Sequence, residues 1–278
     1  MSTGEVIAAV FARSADGHLA ARVEDIAFIA IPVKDGLRVA TGWRLTRPID
    51  HWTVDDVFGA SAIVADEGGF RAHVEESAEH RRQLRTLGRR EIRQRLSTPW
   101  GMAQSSKIYA DGVVFHSTAS HGGIKLDRAR NAAMPAMLRV ASGWYEEDCE
   151  WSKVAIGLPD LFTDYERRHA DRTFRDYYPE CCEAVHGRAL EPGESFANDR
   201  RLFREAHAQD WVVVSAITSK ERLGFVDCVA TLGGDGTASS RRRFLVPDTE
   251  YSAGPHGFVI DERRHQAWDG PIASAACT

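Results

Sequence analysis

The sequence predicts an α+β fold: antiparallel sheets around a central block of helices, preceded by a β-rich N-terminal region that a basic helix joins to the rest. Three observations carry this reading. Period-two apolar segments dominate the first 65 residues and return after residue 210, helical spacing dominates between them, and the order of segments is strands, then helices, then strands rather than an alternating βαβ series.

The elements follow in order. Val6–Phe11 and Ile26–Val33 are apolar runs, and Lys34-Asp35-Gly36 supplies a turn before Leu37, Val39, Thr41, Trp43 and Leu45 at period two, which predicts a hairpin. Ser61–Val64 is a further short strand. From Ala72 to Leu96 the spacing of Leu84, Leu87, Ile92 and Leu96 predicts a helix, kinked or split at Gly88. Ser97-Thr98-Pro99-Trp100-Gly101 then marks a boundary, because proline biases the residue before it out of the helix. This gives two regions, 1–96 and 97–278. In the second, residues 104–118 form a hairpin about Ala110-Asp111-Gly112, and a short helix spans 127–140 with a break at Pro135. Helices near 144–157, 160–177, 179–186 and 194–208 are separated by Pro159, Pro179 and Gly193. Trp211–Ile217 reads as a central strand, Leu223–Leu232 as its neighbour, and Phe244–Val246 and Phe258–Ile260 as shorter strands.

Composition narrows the function classes. With 35 Lys and Arg against 40 Asp and Glu, the net charge is −5, which disfavours a general nucleic-acid binder and weakens acidic mimicry. No apolar run has the length of a membrane span, and Met1–Glu5 lacks the cationic start of a secretory signal, so a cytoplasmic location is expected. Five cysteines without a C-x-x-C pair fit reduced thiols rather than a zinc knuckle.

Thr98-Pro99-Trp100-Gly101, Phe115-His116-Ser117-Thr118-Ala119-Ser120-His121-Gly122-Gly123, Gly143-Trp144-Tyr145-Glu146-Glu147-Asp148-Cys149-Glu150-Trp151 and Asp210–Ala216 are distinctive. Over about residues 98–269 the chain resembles an uncharacterised family carried on plasmids, phages and integrated elements of proteobacteria. The resemblance implies an accessory role in a mobile element, for instance binding a host protein or nucleoprotein to block defence, and implies no reaction.

Three groups of residues are candidates for chemistry. On a helix begun at Trp144, Glu147 and Asp148 share a face with Trp144, Trp151, Val154 and Leu158, and a carboxylate on a core-facing stripe is either paired or held at a raised pKa suited to acid–base work. His116, Ser120, His121, Gly122 and Gly123 lie at a strand end and the loop after it, where glycine amides can form an anion nest and loops commonly bind ligands. If His121 meets Glu147 or Asp148, the set makes a hydrolase-type catalytic group or mixed nitrogen–oxygen ligands for a metal. No cofactor can be named from these patterns. Arg81, Arg82, Arg85, Arg89 and Arg93 suggest a surface for nucleic acid or an acidic partner, although a solvated helix face or a connector has the same pattern. Beside each candidate stands a structural alternative: a hydrogen-bonded turn histidine, or carboxylates tied to backbone amides or arginine.

Overall fold

In a computed structural model describing residues 6–270, the chain has mixed helices and sheets, and every strand pairing is antiparallel. Its contacts divide it into two units, one ending at Phe174 and one beginning at Arg175.

The first unit begins with a five-stranded meander, β1 (Val10–Arg13), β2 (Leu19–Val23), β3 (Ile26–Val33), β4 (Gly36–Trp43) and β5 (Gly59–Val64). The expected hairpin is β3–β4, and Gly36 sits at φ +138, a backbone region that L side chains rarely adopt. Period-two burial places Ala21, Val23, Phe28, Ala30 and Val39 on one face. Against it packs α1 (Glu67–Leu87), whose Phe70, Val74 and Ala78 recur every fourth residue. The other face buries Ala20, Ala27 and Ile29 under Ile49 and Trp52.

The long basic helix is shorter than its spacing predicts. Gly88 adopts a left-handed C-cap, and the chain leaves the helix there instead of kinking within it. Ile92 therefore lies in β6 (Arg90–Ile92), and Leu96 precedes β7 (Ser97–Thr98), which pairs only with β8 (Gly101–Met102). β6 forms the edge of a second sheet through β9 (Ser105–Ala110), so this sheet contains residues from both sides of position 97. The sheet continues through β10 (Val113–Ser117), β11 (Gly122–Leu126) and β12 (Trp144–Glu146). Between β11 and β12 lie α2 (Arg128–Ala133) and a 3-10 turn, Ala136–Leu138, entered from Pro135.

Two local expectations are corrected here. Trp144 begins a strand rather than a helix, because its neighbour Tyr145 is pulled to the sheet's buried face, where its hydroxyl donates to Asn131 Oδ1 (2.7 Å). Helix α3 starts only at Trp151 and runs to Gly157. Gly122 and Gly123 are strand residues of β11, not loop residues. Neither has positive φ, so they form no anion nest. The unit closes with most of α4 (Asp164–Tyr177), anchored by Ala170 and Phe174.

The second unit contains the last turn of α4, then α5 (Pro179–His186), α6 (Phe196–Ala206) and a sheet ordered β13 (Trp211–Thr218), β14 (Phe225–Leu232), β15 (Arg242–Pro247), β16 (Gln266–Ala267). β13 is an edge strand and β14 lies inside, the reverse of the expectation for Trp211–Ile217. The segment 258–260 makes a single bridge, Val212 to Val259, instead of a strand. Cys228, Ala230, Phe244 and Val246 form the core of this unit.

Candidate metal centre at one end of the second sheet

The ends of four strands meet where β10 finishes, β11 begins, β12 finishes and β9 begins. Ser117 stands opposite both Gly122 and Ser105, and the Glu147 amide donates to Gly122 O (3.0 Å). The β10–β11 connection is a tight turn held by Thr118. Its amide and its hydroxyl both donate to His121 O (2.8 and 2.7 Å), and its Oγ1 accepts from the amides of Ser120 and His121 (3.4 and 3.2 Å). Ser120 and His121 are exposed at its tip.

On the neighbouring strand the chain turns sharply after Glu146. Glu146 Oε2 accepts from the amides of Asp148 (2.8 Å) and Cys149 (3.3 Å), which fixes the carboxylate against its own turn. Its other oxygen, Oε1, is enclosed, has no hydrogen-bond partner, and lies 3.7 Å from His121 Nδ1. That separation is too long for a hydrogen bond. Two ligands each about 2.1 Å from one ion stand roughly 3.4 Å apart at a tetrahedral angle, so the spacing suits shared coordination. Asp148 completes the group: one ligand atom each from His121, Glu146 and Asp148 lies within 4.8 Å of the others.

Of the two carboxylates considered from the sequence, Asp148 lies near His121, and the other carboxylate beside it is Glu146. Glu147 belongs to the opposite face. A Cβ placed on Gly122 would lie 2.5 Å from Glu147 Oε2, so the Glu147 side chain lies over that glycine. Strand alternation separates the two adjacent glutamates, whereas helical spacing had paired Glu147 with Asp148. Glu146 was readable only by assigning Trp144–Glu146 to a strand.

Behind the cluster the sheet face is aromatic. Ser106, His116, Gly123 and Glu146 form one cross-strand row over β9–β12. At Gly123 the row has a gap, filled by Trp100: a Cβ there would lie 2.2 Å from its ring and 2.5 Å from Tyr145 O. The tiny β7–β8 hairpin holds Trp100, its amide donating to Thr98 Oγ1 (3.1 Å). Trp100 meets Trp144 edge-on with ring centroids 5.8 Å apart, and Trp144 lies 5.5 Å from the His116 ring. His116 is thus a core residue, 2% exposed and bonded through Nδ1 to Ser106 Oγ (2.7 Å); burial lowers its pKa and keeps it neutral.

Beside the Thr118–His121 turn lies an open cavity of about 430 Å³ lined by Arg95, Trp100, Met102, Gln104, Thr118 and Ala119.

Of the arginines singled out in the sequence, Arg81, Arg82 and Arg85 lie on α1 and Arg89 and Arg93 follow its end. Arg81 and Arg85 pair with Glu24, Arg81 also with Asp25, and Arg82 with Glu79. Arg89 is nearly buried: it grips both Glu166 oxygens (2.7 Å each), donates to Leu161 O (2.6 Å), and stacks over Tyr109 at 3.8 Å. Arg93 is exposed.

Residues 93–208 match the family described as Domain of unknown function (DUF7007). The DUF7007 match supports similarity to an uncharacterised domain family. It contains His121, Glu146, Asp148, Trp100 and Arg95, and it ends before the Asp210–Ala216 segment. No curated protein and no solved structure matches the chain. Among the described residues, no helix is long and apolar enough to cross a membrane.

Proposed function

We propose that His121, Glu146 and Asp148 bind one divalent cation and that the domain is a metal-dependent hydrolase. The observation that carries this reading is the convergence of one imidazole and two carboxylates, with Glu146 Oε1 enclosed, unpartnered and turned towards His121. An enclosed carboxylate oxygen without a partner is costly, and a cation removes that cost. Mixed nitrogen and oxygen ligands favour zinc or manganese. Three protein ligands leave positions for water and substrate, and a bound cation makes water a hydroxide source near neutral pH while polarising the bond to be cleaved. Glu146 is held by its own turn, so it is arranged for the ion beforehand. Calorimetric titration with Zn²⁺ and Mn²⁺ tests the site: the reading expects one saturable ion per chain, lost in His121→Ala, and hydrolysis of a chromogenic ester that depends on the same ion. An absence of saturable binding would overturn it.

A second reading keeps the implication of a mobile-element accessory protein acting in the cytoplasm on a host protein or nucleoprotein. It is favoured by Trp43 and Phe58, whose tilted rings lie 5.2 Å apart while 47% and 78% exposed, a pairing suited to a partner's apolar surface. Under it, a Trp43→Ser, Phe58→Ser double variant loses the partner and keeps its metal affinity. An unchanged partner affinity would count against it.

A further inference from the structure

The cavity next to the cation cluster has the chemistry of a phosphate-ester site. Arg95 lines it and, unlike Arg81, Arg82, Arg85 and Arg89, makes no ion pair among the described residues. A guanidinium without a carboxylate at a cavity wall is suited to bidentate binding of a phosphoryl group. Trp100 forms part of the same wall and offers a ring for a planar base to stack on; its position is fixed by the Gly123 gap and by Trp144. Gln104 adds a side-chain amide. The wall and the cation cluster share one rigid turn: Thr118 and Ala119 line the cavity, and His121, held to Thr118 by three hydrogen bonds, carries the imidazole of the cluster. A volume of about 430 Å³ accommodates a ligand of mononucleotide size.

We infer that this cavity binds a nucleoside phosphate, with the base against Trp100 and the phosphate between Arg95 and the cation. The role given to the cation rests on the proposed metal reading; the contacts of Arg95 and Trp100 do not. The test is calorimetric titration of the full chain with adenosine monophosphate, adenosine and inorganic phosphate, with and without saturating Mn²⁺. Adenosine monophosphate is expected to bind one to one and more tightly than either fragment. Arg95→Ala should weaken it by about tenfold or more while leaving Mn²⁺ affinity and adenosine binding unchanged. Arg95→Lys should recover part of the loss. Nucleotide binding no tighter than that of inorganic phosphate, or indifferent to Arg95, overturns the inference. If Mn²⁺ binds and the nucleotide does not, the inference falls and the metal reading stands. If the nucleotide binds through Arg95 without any Mn²⁺ uptake, the metal reading falls and the site stands.

Discussion

Glu146 and Glu147 are neighbours in sequence with opposite surroundings. Glu146 has one oxygen tied to two amides and the other turned towards His121, whereas Glu147 lies over Gly122 on the other face of the sheet. Glu146→Gln is therefore expected to weaken divalent-cation binding by about 100-fold, through loss of a charged ligand, while Glu147→Gln leaves it within about threefold. Equal effects of the two substitutions, measured by the same titration, would contradict this assignment. His121 was legible as a candidate from its place beside a glycine pair, whereas Asp148 was chosen from a helical face that the structure replaces with the strand Trp144–Glu146 and the turn after it. Glu146 was not, because the choice between helix and strand at Trp144 decides which glutamate joins Asp148. A three-residue strand carries too little periodicity to settle that choice. Its partner β11 determines it, and that pairing is remote in sequence.

At the scale of elements, the second sheet depends on a missing side chain. Gly123 lets Trp100 approach, and a methyl group there meets both the ring at 2.2 Å and Tyr145 O at 2.5 Å. Backbone cannot yield as a flexible side chain can. Gly123→Ala should therefore cost about 3 kcal/mol in chemical denaturation, at the upper end for overpacking. A loss below 1 kcal/mol would show that the ring moves aside freely. Arg89 joins α1's exit to the Thr163–Glu166 turn, and Arg89→Met leaves Glu166 four-fifths covered without its cation, so a loss of about 3 kcal/mol is expected. Substitution without measurable destabilisation would contradict the structural role given to this pair. The β3–β4 and β9–β10 hairpins and α5 were readable because glycine turns and Pro179 delimit them locally. The end of the basic helix was misread because Gly88 serves equally as a kink or a left-handed cap, and only the pairing of β6 with β9 selects the cap.

At the scale of the molecule, pH acts through imidazoles that the fold covers, His116 fully and His73 and His80 in part. Burial lowers the pKa of His73, His80 and His116 below the ordinary 6.5. The unfolded chain takes up protons near that value while the folded chain still resists them, so stability falls as pH drops below about 6.5. Carboxylates held down by hydrogen bonds, such as Asp56 on Arg47 and Glu194 at about 2 on Arg188, extend the loss at lower pH, since they must be protonated for the chain to unfold in acid. Melting temperature should decline from pH 7 to pH 5. His116→Gln should flatten that decline by up to about 1.4 kcal/mol per pH unit, the value of one proton. A pH-independent melting temperature over this range would contradict the burial of these histidines. The α+β class was legible from the segment order, because apolar periodicity survives averaging over many residues. The order of the last sheet was not: β13 is apolar except at Ser215 and Thr218, much as an interior strand would be, yet only β14 flanks it, apart from the bridge to Val259.

The most direct test of the central claim is an anomalous difference map from a crystal of the full chain grown with Mn²⁺. The account predicts one peak about 2.0–2.3 Å from a His121 ring nitrogen, Glu146 Oε1 and an Asp148 carboxylate oxygen. A map without a peak there, with Glu146 Oε1 bonded instead to a protein donor, would contradict it.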